Sequence, residues 1–133
     1  MALPSVGGGY QIGDGNANEV DLYDLTTPQT ATTSATLTTG QLLGGLLVAS
    51  PGASAAAYTL PTGALMDAAL ANMRPDKYFE IPIVNLGTAS GAITMTAGTG
   101  WTIVGNAVIA VTSSARFWCR QTAAATWTLY RTA

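Results

Sequence analysis

Several residue groups in this chain have types and spacings that chemistry could use. Arg116, Trp118 and Arg120 alternate within "ARFWCR", Asp76 and Glu80 are carboxylates one helical turn apart, and Asp14, Asn16 and Asn18 align oxygen ligands in "DGNANE". Ser54 in "GASAA" begins to look like a nucleophilic serine. Each pattern fails at a specific position. There is no histidine, which removes Ser-His-Asp and Cys-His systems and the commonest metal ligand. "GASAA" departs from the G-x-S-x-G elbow at its last residue, and Lys77, the sole lysine, has no S-x-x-K before it. The acidic loop copies the first three ligands of an EF-hand, but Glu19 stands where the turn glycine belongs and Leu25 where the bidentate glutamate belongs. It reads better as a Gly/Asn-rich turn. Asp76 and Glu80 have the residue types of a glycosidase pair, yet spacing alone is also met by two solvated carboxylates at a turn and a strand start. The glycines of "GGGYQIGDG" precede no helix and match no phosphate loop. The expectation is a chain without enzymatic activity, cofactor or metal.

What remains is Arg116, Trp118 and Arg120. If "ARFWCR" is a strand, Ala115, Phe117 and Cys119 face one way and these three face the other. Trp with Arg is a pairing enriched at protein interfaces. Two readings stand at this point: Trp118 meets a partner, or it is covered by loops or a second core of its own chain. Trp101 and Trp127, alternating with Ile103 and Leu129, read as core.

The elements that must position these residues follow from composition and pattern. The chain has 133 residues, 9% of them charged, and a formal net charge of −2, whereas soluble domains carry roughly a quarter charged residues. So sparsely charged a surface is poorly solvated in a lone monomer, which points to coverage by other subunits. Five carboxylates precede Arg74, and all five basic residues lie from Arg74 onward. That basic set is far too small for a nucleic-acid footprint. Gly44-Gly45 and Pro51-Gly52 interrupt the uncharged run from Leu25 to Met66, so no membrane span is expected. "MALPSVGGGYQIGDG" has neither a basic nor an apolar signal region, so no secretory signal and synthesis in the cytoplasm are expected. Cys119 is the single cysteine, so no intrachain disulfide can form.

Residues 1–35 read as an extended N-terminal arm, Gly/Asn-rich and then Thr-rich, with a short strand pattern in "EVDLYDL". Residues 36–133 read as one β-sandwich domain. Thr38 and Gln41 have capping-box spacing before a single helical turn. "GALMDAALANM" is the one convincing helix, with Thr62 as its N-cap. After Lys77 the pattern is β throughout: "YFEIPIVNL", "GAITMTA", "GWTIVG", "NAVIAV", "ARFWCRQT" and "TWTLYRT", with short turns between. Pro82 suggests an edge strand or a bulge. The expected fold is mainly β, an antiparallel, jelly-roll-like sandwich with one short helix and an arm.

Three segments, "YTLPTGALMDAAL", "IPIVNLGTASGAITMTAGTGWTIVG" and "SSARFWCRQTAAATWTLYR", together resemble small virion proteins of tailed bacteriophages, the capsid decoration or cement proteins. The likeness runs from about Thr36 to Arg131 and leaves the arm outside. It implies a non-enzymatic structural protein on the outer capsid surface of a virion, a homotrimer that clamps neighbouring major capsid proteins. The acidic arm and the basic strand face suit an arm that crosses to a neighbouring subunit or the capsid floor, with Asp21 or Asp24 meeting Arg116 or Arg120 beside Trp118, and Val20, Leu22 and Leu25 giving apolar burial. An alternative from the residues themselves is a virion-surface module for a receptor or carbohydrate, with Trp118 as a sugar platform.

Overall fold

The computed structural model describes residues 22 and 24–133. The chain winds between two sheets. β1 (Gln29–Ala31) lies in the larger sheet and β2 (Ala35–Thr36) in the smaller; after α1 (Thr39–Leu43) the chain returns as β3 (Leu47–Ala49) to the larger and as β4 (Ala56–Thr59) to the smaller. After α2 (Gly63–Ala69) the same alternation continues with β5 (Tyr78–Asn85) and β6 (Ile93–Thr96). A strand that returns to its sheet after crossing the other one runs in its predecessor's direction. β1, β3 and β5 are accordingly parallel, as are β2, β4 and β6.

The C-terminal part closes this winding. β7 (Trp101–Val104) takes the far edge of the larger sheet, and β8 (Val108–Ile109) pairs antiparallel with β6. β9 (Ser114–Ala123) and β10 (Thr126–Arg131) form an antiparallel hairpin between β5 and β7. The larger sheet has the order β1-β3-β5-β9-β10-β7, and the smaller β2-β4-β6-β8. The mainly β, two-sheet expectation holds. Its antiparallel, jelly-roll form does not, because the parallel returns come from alternation between sheets, which short apolar runs cannot reveal.

One core joins the sheets: Leu47, Ile81, Ile83, Phe117, Trp127 and Leu129 from the larger meet Tyr58, Ile93, Met95 and Ile109 from the smaller. The two helices occupy equivalent places in successive coils. Thr38 and Thr62 cap them, each accepting a backbone N–H three residues on, and Thr38 with Gln41 completes the capping box. Four residues past each cap lies a buried anchor, Leu42 or Met66. α2 ends at Ala69 with Leu70 as its C-cap, short of the expected run to Met73.

Two further expectations change. The larger sheet includes Gln29–Ala31, inside the segment expected as arm, because the polar segment "QTA" needs only backbone pairing with β3 to become a strand. Gln41 Nε2 covers that edge by donating to the Thr30 carbonyl. Pro82 lies in the sheet interior, between β3 and β9. It faces Arg116, whose N–H and C=O bond instead to Ala133 and Thr132, and β3 begins only opposite Ile83. No ladder bond is asked of the proline nitrogen. The strand pattern "EVDLYDL" and the acidic loop at Asp14 lie outside the described residues, apart from Leu22, Asp24 and Leu25.

At one end of the sandwich, α2, the start of β7 and the β9–β10 turn converge on Asp67. Its Oδ1 accepts from Gln121 Nε2 at 2.7 Å and Trp127 Nε1 at 2.9 Å, and its Oδ2 from the Ala125 N–H at 2.5 Å. Ala125 has φ 53°, an uncommon conformation for alanine, so the turn depends on this anchorage. It is pressed against Gly63 and Gly100, where a Cβ would fall 2.0 and 2.3 Å from the Ala125 carbonyl oxygen.

Candidate binding face

The outer face of the larger sheet is built by alternation. Along β9, Ala115, Phe117, Cys119 and Gln121 are buried, so Arg116, Trp118 and Arg120 point outward. On β5 the same parity buries Ile81 and Ile83 and leaves Tyr78 and Glu80 exposed. The register sets Glu80 and Tyr130 on either side of Trp118, and Tyr78 opposite Arg120. Contacts then run diagonally as well as across, which cross-strand spacing permits for long side chains.

Each arginine finds its counter-charge within the chain. Arg116 Nε lies 3.1 Å from Glu80 Oε1, and Trp118 Nε1 donates to Glu80 Oε2 at 3.2 Å. Arg120 pairs with Asp76 and donates to the Tyr130 hydroxyl at 3.3 Å. The Tyr130 hydrogen bond first, and Asp76 after it, hold the Arg120 guanidinium above its ordinary pKa. Asp76 has φ 70°, and its N–H bonds to the Gln121 carbonyl at 2.8 Å, fixing the turn that presents its carboxylate.

Between the paired charges lies an aromatic floor. The Tyr78 and Trp118 rings are 4.7 Å apart and inclined at 34°, with Tyr78 54% and Trp118 39% exposed. With Tyr130, Asp76, Arg120, Arg131 and Thr132 they line a shallow concavity of about 510 Å3. The guanidinium of Arg131 lies 5.9 Å from the centre of the Phe117 ring and donates to the Val108 carbonyl, fastening the start of β8.

The structure thus brings Arg116, Trp118 and Arg120 together and leaves Leu22, Asp24 and Leu25 apart from them. Leu25 approaches Gly45, ahead of β3, with β5 between that strand and β9. Asp21 lies outside the described residues. Among the described residues the two ion pairs are Arg116–Glu80 and Arg120–Asp76. Tyr78 and Tyr130 were not evident as site residues, and Asp76 and Glu80 stood out only as the residue types of a glycosidase pair; the matching parity of "YFEIPIV" and "RFWCR" is a signal for Tyr78, but only strand order makes it Trp118's neighbour.

Cys119 faces the core, and burial pushes its thiol pKa well above the ordinary value. It is no nucleophile. Among the described residues no three carboxylate or thiol side chains converge on a metal-sized site, and no helix is long and apolar enough to cross a membrane. Compared with known protein families, curated protein sequences and solved structures, the chain matches none.

Proposed function

We propose that this chain is a non-enzymatic structural protein of a phage virion, which decorates the outer capsid surface and stabilises it by binding neighbouring major capsid proteins as a homotrimer. The observation that carries this reading is the segment before β1. Leu22 is 90% and Leu25 57% exposed, beside an exposed Asp24. Full burial of a leucine is worth about 1.5–3 kcal/mol, and these two forgo most of it in the isolated subunit. A segment that adds little to its own core while displaying leucines is suited to anchoring on a neighbour. The sparse charge of the whole chain points the same way.

Removal of residues 1–26 tests this, since it spares β1. The truncated protein is expected to keep its β-sheet circular dichroism and lose to the full-length protein in competition for capsids. Equal attachment of the two would overturn the anchoring role. Sedimentation is expected to give a trimer at micromolar concentration; a monomer both in solution and on particles would overturn the homotrimer.

A further inference from the structure

The concavity on the outer sheet face lies apart from Leu25 and the β1 edge of its own subunit. We propose that it is a saccharide-binding site that takes one or two pyranose rings of a neutral glycan, stacked on Trp118 and Tyr78.

The floor supplies the stacking surface. Tyr78 and Trp118 come from adjacent strands, their rings open to each other at 34°. A pyranose presents a C–H-rich face, and the electron-rich face of an aromatic ring attracts such polarised hydrogens. The indole N–H of Trp118 is held by Glu80, so the ring is oriented before any ligand arrives.

Charge decides the ligand class. Arg116 and Arg120 are offset by Glu80 and Asp76. The guanidinium of Arg131, the remaining cation of the lining, is held by the Asn106, Val108 and Ala133 carbonyls and the Phe117 ring, so the pairs rather than a free cation meet the ligand. The same pairs suit hydroxyl groups, which need donors and acceptors side by side. The Asp76 side chain is 74% exposed and paired at Oδ1, with Oδ2 left to accept. A guanidinium has five N–H donors, and Arg120 uses them on Tyr130 and Asp76 without exhausting them. Tyr130 and Thr132 add hydroxyls. Because Arg120 is tied on two sides and Asp76 is fixed by its turn, little ordering remains to be lost on binding.

Size agrees. A volume of about 510 Å3 lies within the range of small-ligand sites, roughly 300–1,000 Å3. The site sits on β5, β9 and β10, away from the β1 edge. Glycan binding and capsid attachment are therefore separable, and either can fail without the other.

The test is the full-length protein on an array of immobilised neutral oligosaccharides of glucose, galactose, mannose and N-acetylglucosamine, with sialylated and sulfated members alongside. Binding to at least one neutral group is expected. Titrating that oligosaccharide in solution should alter tryptophan fluorescence through Trp118, since Trp101 and Trp127 are buried. Trp118→Ala should weaken binding at least about tenfold and Trp118→Tyr by much less, a contrast of about 1.4 kcal/mol or more in binding free energy. Asp76→Asn, a surface change that leaves folding intact, should weaken it severalfold. Silence of all neutral members, binding of acidic members alone, or affinity unchanged in both Trp118→Ala and Asp76→Asn would overturn the proposal. So would loss of the oligomer in Trp118→Ala, which would assign the face to a second copy of the chain.

Discussion

Trp118 and Trp127 lie on adjacent strands of one sheet, and each donates its indole N–H to a carboxylate, Glu80 at 3.2 Å and Asp67 at 2.9 Å. Their surroundings differ completely. Trp127 is closed in between Trp101, with ring centroids 5.6 Å apart, and Phe79, at 6.0 Å, and it is fully buried. Trp118 has Tyr78 on one side and solvent on the other. Residue type and hydrogen-bond partner are alike, so neither decides the role. What decides is whether a second layer closes over the ring: the smaller sheet and α2 do so on the inner face, and no described element does on the outer. The inner tryptophan is a structural fastener, the outer one a surface held ready for contact.

The sharpest way to break this comparison is to truncate the inner ring. Trp127→Ala should destabilise the fold by about 3–5 kcal/mol, the range for removing a large buried aromatic, measured by denaturant unfolding. Its partner comes next. Asp67→Ala strands the Gln121, Ala125 and Trp127 donors together, and a loss of about 2–4 kcal/mol is expected from unsatisfied buried polar groups. If Asp67→Ala matched the wild type in unfolding, the junction would not depend on that carboxylate.

The inner face also carries a pH signature. Burial holds the Cys119 thiol above its ordinary value of 9.0, and Tyr58 is raised above 10.0 by the same cause. The unfolded chain releases these protons first, so the stability they contribute is complete below pH 9 and falls as pH rises. One such group gives a slope of about 1.4 kcal/mol per pH unit. Unfolding midpoints between pH 8 and 11 should therefore drop above pH 9, and Cys119→Ala should lessen the drop. The smallest effect belongs to the outer ring: Trp118→Ala should alter stability by less than about 1 kcal/mol, as surface changes do. A cost near that of Trp127→Ala would erase the distinction between the faces.

Much of the local structure was legible. Thr38, Gln41 and Thr62 announced their caps because capping is a contact within four residues, and "ARFWCR" announced its two faces because alternation is a property of the strand itself. Trp101 and Trp127 were readable as core from their apolar partners two residues on. Less legible were relations between distant segments. "QTA" has no apolar pattern and is a strand only because β3 offers it an edge. Pro82 argued for an edge or a bulge, yet sits inside the sheet where its neighbours make no demand on its nitrogen. Asp67 looked like one more charge on a helix, since nothing near it in the chain forecasts Gln121, Ala125 and Trp127 as donors.

By itself, then, the amino-acid order determined a mainly β chain without histidine chemistry, with its helix starts, its strand faces and an outward Trp118 between two arginines, because each of these depends on neighbours a few residues away. Tertiary structure alone decided the parallel winding, the closure over Trp127 and the neutralisation of Arg116 and Arg120 by Glu80 and Asp76. Those depend on which strands become adjacent, and adjacency is settled by the collective packing of one core between two sheets.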